Sequence, residues 1–125
     1  MTPLMFLALM LCGGLGASLR WLADVLLSRV LPAGFPWAIL IVNATGSLAL
    51  GLLTGLSLPS PWLAVVGMGL LGGYTTFSTV AVDTQVLARS GRGEAAWGNA
   101  LGTLVLCVAL ATAGLALGIG LTATA

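Results

Sequence analysis

Gly72-Gly73-Tyr74-Thr75-Thr76-Phe77-Ser78-Thr79 decides how this chain is read, because it falls inside a long run with no charged residue, 30–82. Two adjacent glycines precede four hydroxyl residues within five positions. Glycine weakens a helix through its backbone freedom, and Ser and Thr offer the backbone competing hydrogen bonds. The stretch therefore predicts an interruption in an otherwise apolar helix. Non-helical backbone at membrane depth persists only where protein or a water-filled cavity covers it. A discontinuous membrane helix exposes carbonyls that suit a cation and amides or hydroxyls that suit an anion. On physical grounds alone the segment is a candidate ion site.

The surrounding composition sets the solvent. Of 125 residues 59% are hydrophobic, and the only charges are Arg20, Asp24, Arg29, Asp83, Arg89, Arg92 and Glu94. Soluble domains devote about a quarter of their residues to charge. A chain with 6% charged residues cannot cover a globule with a hydrated surface, which argues against a soluble enzyme. A net charge of +1 with no Lys gives no footprint for nucleic acid. One all-α integral membrane domain remains.

Breakers divide the apolar runs. Pro32, Gly34 and Pro36 interrupt the chain once, and Pro59-Ser60-Pro61 interrupts it again. A membrane-crossing helix needs about 20 mostly apolar residues. Four spans follow, at 3–29, 36–57, 62–88 and 94–120, all in a single domain covering 1–125. The first span has no basic leader and stays apolar beyond Arg20, through Trp21, Leu22, Val25 and Leu26, so it reads as an uncleaved span. Arg29, Arg89 and Arg92 fall on one side, and the other side carries no Arg or Lys; the positive-inside rule then turns both termini outward.

Small and polar residues pattern the helix faces. Gly51 and Gly55, Gly98 and Gly102, and Gly114 and Gly118 are each four apart, a spacing that lets helices approach closely where lipid gives no hydrophobic drive. In a thin four-helix bundle these faces predict oligomerisation. Asn43 and Ser47 lead into the Gly51–Gly55 stripe, and Asn99, Thr103 and Cys107 form a matching stripe on the fourth span. Each stripe serves equally as interhelical glue or as one wall of a polar track; two matched stripes favour the track. Cys12 and Cys107 have no His and no nearby Cys to share a metal or a disulfide, and read as packing residues.

Amide N–H and hydroxyl groups donate hydrogen bonds, and an aromatic ring is electropositive at its edge. Asn43, Ser47, Phe77 and the Ser/Thr cluster together suit a small anion, whereas a cation path favours rings of carboxylates.

These residues resemble the bacterial fluoride channel family known as Fluc or CrcB along nearly the whole chain. The likeness is carried by Gly13-Gly14-Leu15-Gly16-Ala17-Ser18-Leu19-Arg20-Trp21, by Asn43-Ala44-Thr45-Gly46-Ser47, by the Gly72–Thr79 stretch and by Gly91-Arg92. The Gly-Gly-x-Thr-Thr-Phe-Ser-Thr run is the specific element. The resemblance implies two four-helix subunits assembled antiparallel in the cell (inner) membrane, with two fluoride pores. It also implies a structural, untransported Na⁺ at the dimer centre, held by the carbonyls of Gly72 and Thr75. It further implies that Asn43 donates to fluoride, that Phe77 supplies a ring edge and that Ser78 and Thr79 supply hydroxyls. Arg20 would stand near the pore vestibule, and Asn99 and Thr103 would be polar positions of the fourth span.

The pattern departs at Val80, where the family usually carries a second Phe, and at Asp83, where Glu is more usual. A Val has no ring edge. The missing ring and the one-sided arginines favour a subunit of fixed orientation paired with an oppositely inserted paralogue over a dimer with itself. Two other classes fit the residues less well. A small multidrug-type four-helix exporter needs a membrane-embedded carboxylate, and the first span has none before Asp24. A purely structural membrane subunit explains the glycine faces but not the hydroxyl cluster. With no His and isolated Cys residues, no nucleophile–base pair supports an enzyme.

Overall fold

A computed structural model of the chain describes residues 2–57 and 60–123, and it is helical throughout. Helix α1 (Pro3–Ser28) starts on a Thr2 cap whose hydroxyl accepts from Met5 N–H, with Pro3 placed where its missing N–H costs nothing. A loop containing Gly34 (φ +102°) leads to α2 (Trp37–Gly55). The third span is composite. It comprises α3 (Pro61–Val66), a π-helical stretch (Gly67–Leu71), a single turn α4 (Gly72–Tyr74) and, after two extended residues, α5 (Phe77–Arg89). Gly91 (φ +78°) turns the chain into α6 (Gly93–Ala123). Pro59, one of the breakers read from the sequence, lies outside the described residues.

Among the described residues, four helical runs are long and apolar enough to cross a membrane: Pro3–Ser28, Trp37–Gly55, Pro61–Arg89 and Gly93–Ala123. The chain is a multi-pass membrane protein. Helix α2 is the most enclosed span, burying Ala38, Ile39, Val42 and Ala44, and it packs chiefly on α6. Helix α1 packs along the first half of the third span, and α5 packs on α6.

The glycine faces correct one expectation. Gly51 and Gly55 on α2 lie directly against the backbone of Ala111 and Leu115 on α6. Gly114 and Gly118 in turn lie against the backbone of Leu48 and Leu52 on α2. The two pairs thus interlock within one subunit and are not free for oligomerisation. Side chains there would hold the helices apart, and in lipid that close van der Waals packing is what holds them together. Of the three pairs, Gly98 and Gly102 alone face open space, with nothing within 4 Å of where a Cβ would stand.

Candidate functional site: a cavity at the broken third span

The interruption is at Thr75 (φ −80°, ψ 156°) and Thr76 (φ −149°, ψ 126°), both extended. The two glycines before it stay in the helical turn α4. Gly73 is needed for approach, since a Cβ there would strike the Gly13 carbonyl of α1, whereas Gly72 faces open space. The break is made by side chains that capture backbone groups. Thr76 N–H donates to Asn43 Oδ1 at 2.7 Å, and Asn43 Nδ2 donates to Thr76 O at 2.9 Å. The Thr76 hydroxyl caps α5 by accepting from Thr79 N–H at 3.3 Å. In a continuous helix those two amides would serve the carbonyls of Gly72 and Thr75. Here both are diverted, so the helical donors of Gly72 O and Thr75 O are gone. On the other side of the turn, Arg20 Nε donates to Gly73 O at 3.5 Å.

Beside the break lies a cavity of about 420 Å³. Helix α2 contributes Asn43 and Ser47, α6 contributes Thr103 and Cys107, and the third span contributes Gly72, Thr75, Thr76, Phe77 and Val80. Asn43 and Ser47 of one stripe and Thr103 and Cys107 of the other therefore face one space. Asn43 is 5% exposed, and its amide reaches Thr76 with one of two N–H groups. The Thr103 hydroxyl oxygen is buried with no hydrogen-bond partner among the described residues. Phe77 lines the cavity and is 85% exposed at the subunit surface.

A second cavity, of about 370 Å³, lies under the loop before α2. Thr79, Asp24 and Asp83 line it, and Arg92 straps the loop by donating to Gly34 O. Thr76 Oγ1 links the two spaces, being within 3.1 Å of Thr79 Oγ1 and 3.2 Å of Ser78 Oγ.

The predicted residues thus separate into groups. Asn43, Gly72, Thr75, Phe77 and Thr103 meet at the first cavity, and Thr79 opens on the second. Ser78 is exposed beside Thr76. Asn99, 2% exposed, lines neither cavity and braces α6 to α5 by donating to Thr84 Oγ1 at 2.9 Å and Val80 O at 3.3 Å. Arg20 also lines neither. The residue missed from the sequence is Thr76, the hub of the hydroxyl chain. Its signal was available, since a helix that restarts needs an N-cap and Thr is a favoured one.

Fold and site define a four-span membrane protein with a cavity, edged by Asn, Ser and Thr side chains, at a broken helix. The family model described as "CrcB-like protein, Camphor Resistance (CrcB)" matches residues 7–115, and the chain belongs to that family. It is 43% identical over 124 residues to "Fluoride-specific ion channel FluC 1" of Leifsonia xyli subsp. xyli, covering 96% of this chain and 89% of the relative. It is 42% identical over 118 residues to "Fluoride-specific ion channel FluC" of Rhodospirillum centenum, covering 90% and 94%. It is 40% identical over 114 residues to "Fluoride-specific ion channel FluC 2" of Mycobacterium bovis, covering 91% and 90%. The exporter alternative finds no support in these relatives.

Proposed function

We propose that this protein is a fluoride-selective channel that lets F⁻ leave the cell passively across the inner membrane, with the cavity at the broken span as part of its path. The observation that carries this reading is the gathering of Asn43, Ser47, Thr75, Thr76, Phe77 and Thr103 around one cavity beside the break. Fluoride is small and strongly hydrated, so donors must replace its water before it enters a low-dielectric space. Several weak sites in sequence permit exit as well as entry. The Thr76–Thr79 hydroxyl pair supports continuity toward the Asp24–Asp83 cavity.

A structural Na⁺ fits the same break. Gly72 and Thr75 have carbonyls whose helical donors are diverted to Asn43 and to the Thr76 hydroxyl. Unwound carbonyls of this kind hold Na⁺ in other broken membrane helices. When bound, the ion would supply positive potential beside the anion path.

The working unit we infer is an antiparallel pair of subunits. Phe77, almost fully exposed, and the open flank of its cavity support a covering partner. Val80 in place of a second ring and the one-sided arginines favour an oppositely inserted paralogue over a second copy of this chain. Fluoride-electrode measurements on liposomes holding the purified chain, alone or co-purified with such a paralogue, test both levels. Fluoride efflux without chloride efflux is expected from the pair. Robust efflux from the chain alone removes the paralogue requirement, and silence in both preparations overturns the channel reading.

A further inference from the structure

We propose that Arg92 is a positioning residue that latches the α1–α2 loop, residues 30–36, as a lid over the second cavity and so sets access to Thr79. This rests on the hydroxyl chain at the broken span being part of the fluoride path.

The Gly91-Arg92 motif takes no part in the cavity at the break. It makes the corner between α5 and α6, which Gly91 turns with a left-handed φ of +78°. Arg92 is fixed there at its base. Its N–H donates to Leu87 O at 3.0 Å, and its carbonyl accepts from Ala96 N–H at 3.0 Å. From this corner the guanidinium crosses to the loop and donates to Gly34 O. Gly34 is left-handed as well (φ +102°), and a Cβ on it would stand 3.4 Å from Arg92 Nη1. A glycine thus stands at each end of the strap.

Little else holds the loop. Pro32 and Pro36 have no N–H to give. The N–H groups of Val30, Leu31 and Trp37 bond locally, to Leu27 O and Phe35 O, and the ring contact of Phe35 with Trp37 is local too. Among the described residues, the bond from Arg92 is the one hydrogen bond that ties 30–36 to a distant element. The tip of the loop, Pro32 to Gly34, is exposed. Beneath it lies the cavity of about 370 Å³, with the loop on one side and Thr79, Asp24 and Asp83 on the other. A segment held by one charge-assisted bond opens locally, without unfolding of the spans. Opening of such a lid precedes entry to the site it covers.

A latch and a simple attracting charge predict opposite signs. Removing a cation beside a cavity that holds Asp24 and Asp83 slows an anion, whereas removing a latch admits it faster.

The test has a labelling arm and a transport arm. In the first, the full chain carrying Cys12→Ser and Cys107→Ser is placed in phosphatidylcholine nanodiscs. A thiol is then introduced by Ile39→Cys, at a 5% exposed position lining the cavity beneath the loop, or by Val42→Cys, at a 0% exposed position lining neither cavity. Reaction with a water-soluble methanethiosulfonate is timed by intact mass. Arg92→Ala is expected to speed the Ile39→Cys reaction by at least about tenfold, through loss of a hydrogen bond from a charged donor, and to leave Val42→Cys unchanged. Arg92→Lys, which keeps a charged donor on a long stem, should restore the slow rate. An Ile39→Cys rate indifferent to Arg92→Ala, or both thiols speeding together, overturns the latch. In the second arm, fluoride efflux is read by electrode from liposomes holding the chain paired with its oppositely inserted paralogue. Arg92→Ala in this chain should raise efflux; an unchanged or lower rate overturns the control of access. If the unaltered pair carries no fluoride, the channel reading is what fails, and the labelling arm still decides the lid.

Discussion

Asn43 on α2 and Thr76 in the third span exchange two hydrogen bonds, one in each direction, at 2.7 and 2.9 Å. The side-chain amide thereby does for one extended residue what a neighbouring β-strand would do, satisfying both its N–H and its C=O. At membrane depth water cannot replace those partners, so the break exists because a buried Asn stands opposite it. The same pairing takes the Thr76 amide away from Gly72 O, so the one side chain both permits the break and releases a carbonyl.

Asn43→Asp keeps an acceptor for Thr76 N–H but sets a carboxylate oxygen against the Thr76 carbonyl. The lost bond and the buried repulsion should destabilise the subunit by about 1–3 kcal/mol or more, and the negative charge should repel an anion. Fluoride efflux should be abolished, with a lower melting temperature in detergent. Unchanged efflux and melting would mean that this pairing is dispensable.

Thr103→Val removes the unpartnered hydroxyl while keeping the shape of the side chain. Removing a buried, unsatisfied group is neutral or mildly stabilising, by up to about 1–3 kcal/mol. Stability and transport should therefore move apart, the melting temperature holding or rising while efflux falls. A parallel fall in both would show that the hydroxyl serves packing.

The helices were legible in the sequence because the apolar runs and their Pro/Gly breakers act through chain-local physics. Their ends fall at Ser28, Gly55, Arg89 and Ala123, against anticipated ends at 29, 57, 88 and 120. The third-span interruption was legible too, from its hydroxyl cluster, and it falls inside the Gly72–Thr79 stretch, although which residues of that stretch leave the helix was not legible. Gly72 and Gly73 keep helical geometry, and the break comes at Thr75–Thr76, because only there do a side chain from α2 and a cap from within the segment take over the backbone groups. The partner of each glycine face was not legible. Four-residue spacing says that something approaches closely and is silent on whether it lies in the same subunit; Gly51–Gly55 and Gly114–Gly118 turned out to meet each other. Asn43 and Asn99 head matching stripes, yet one reaches the cavity and the other is spent on Val80 O and Thr84, a difference set by helix rotation.

The glycine geometry separates two otherwise similar substitutions. A Cβ on Gly51 would collide with the Ala111 backbone carbonyl, which cannot rotate away, whereas a Cβ on Gly98 meets nothing within 4 Å. Gly51→Ala should cost about 1–3 kcal/mol by pushing α2 from α6, and Gly98→Ala should leave the subunit's stability unchanged. Thermal melts in one detergent compare them directly, and equal melting temperatures would contradict the interlocked arrangement.

Val80 is 7% exposed and borders the cavity, so a ring grown from this position has space on one side. If the missing ring is what makes the chain depend on a partner, Val80→Phe should raise fluoride efflux from the chain alone. Liposome flux of the two chains, at equal reconstituted protein, checks this; no gain would assign the dependence to insertion orientation instead.

Phe77 offers the sharpest separation of folding from function. At 85% exposure its ring contributes little burial within the subunit, so Phe77→Ile should scarcely move the melting temperature. Isoleucine retains apolar bulk but lacks the electropositive ring edge that can face an anion. Efflux should fall by at least about tenfold, the change expected when roughly 1.4 kcal/mol of anion stabilisation is removed from the path. Wild-type efflux from Phe77→Ile would exclude a ring-edge role and leave the hydroxyl and amide groups of the cavity as the only donors on the route.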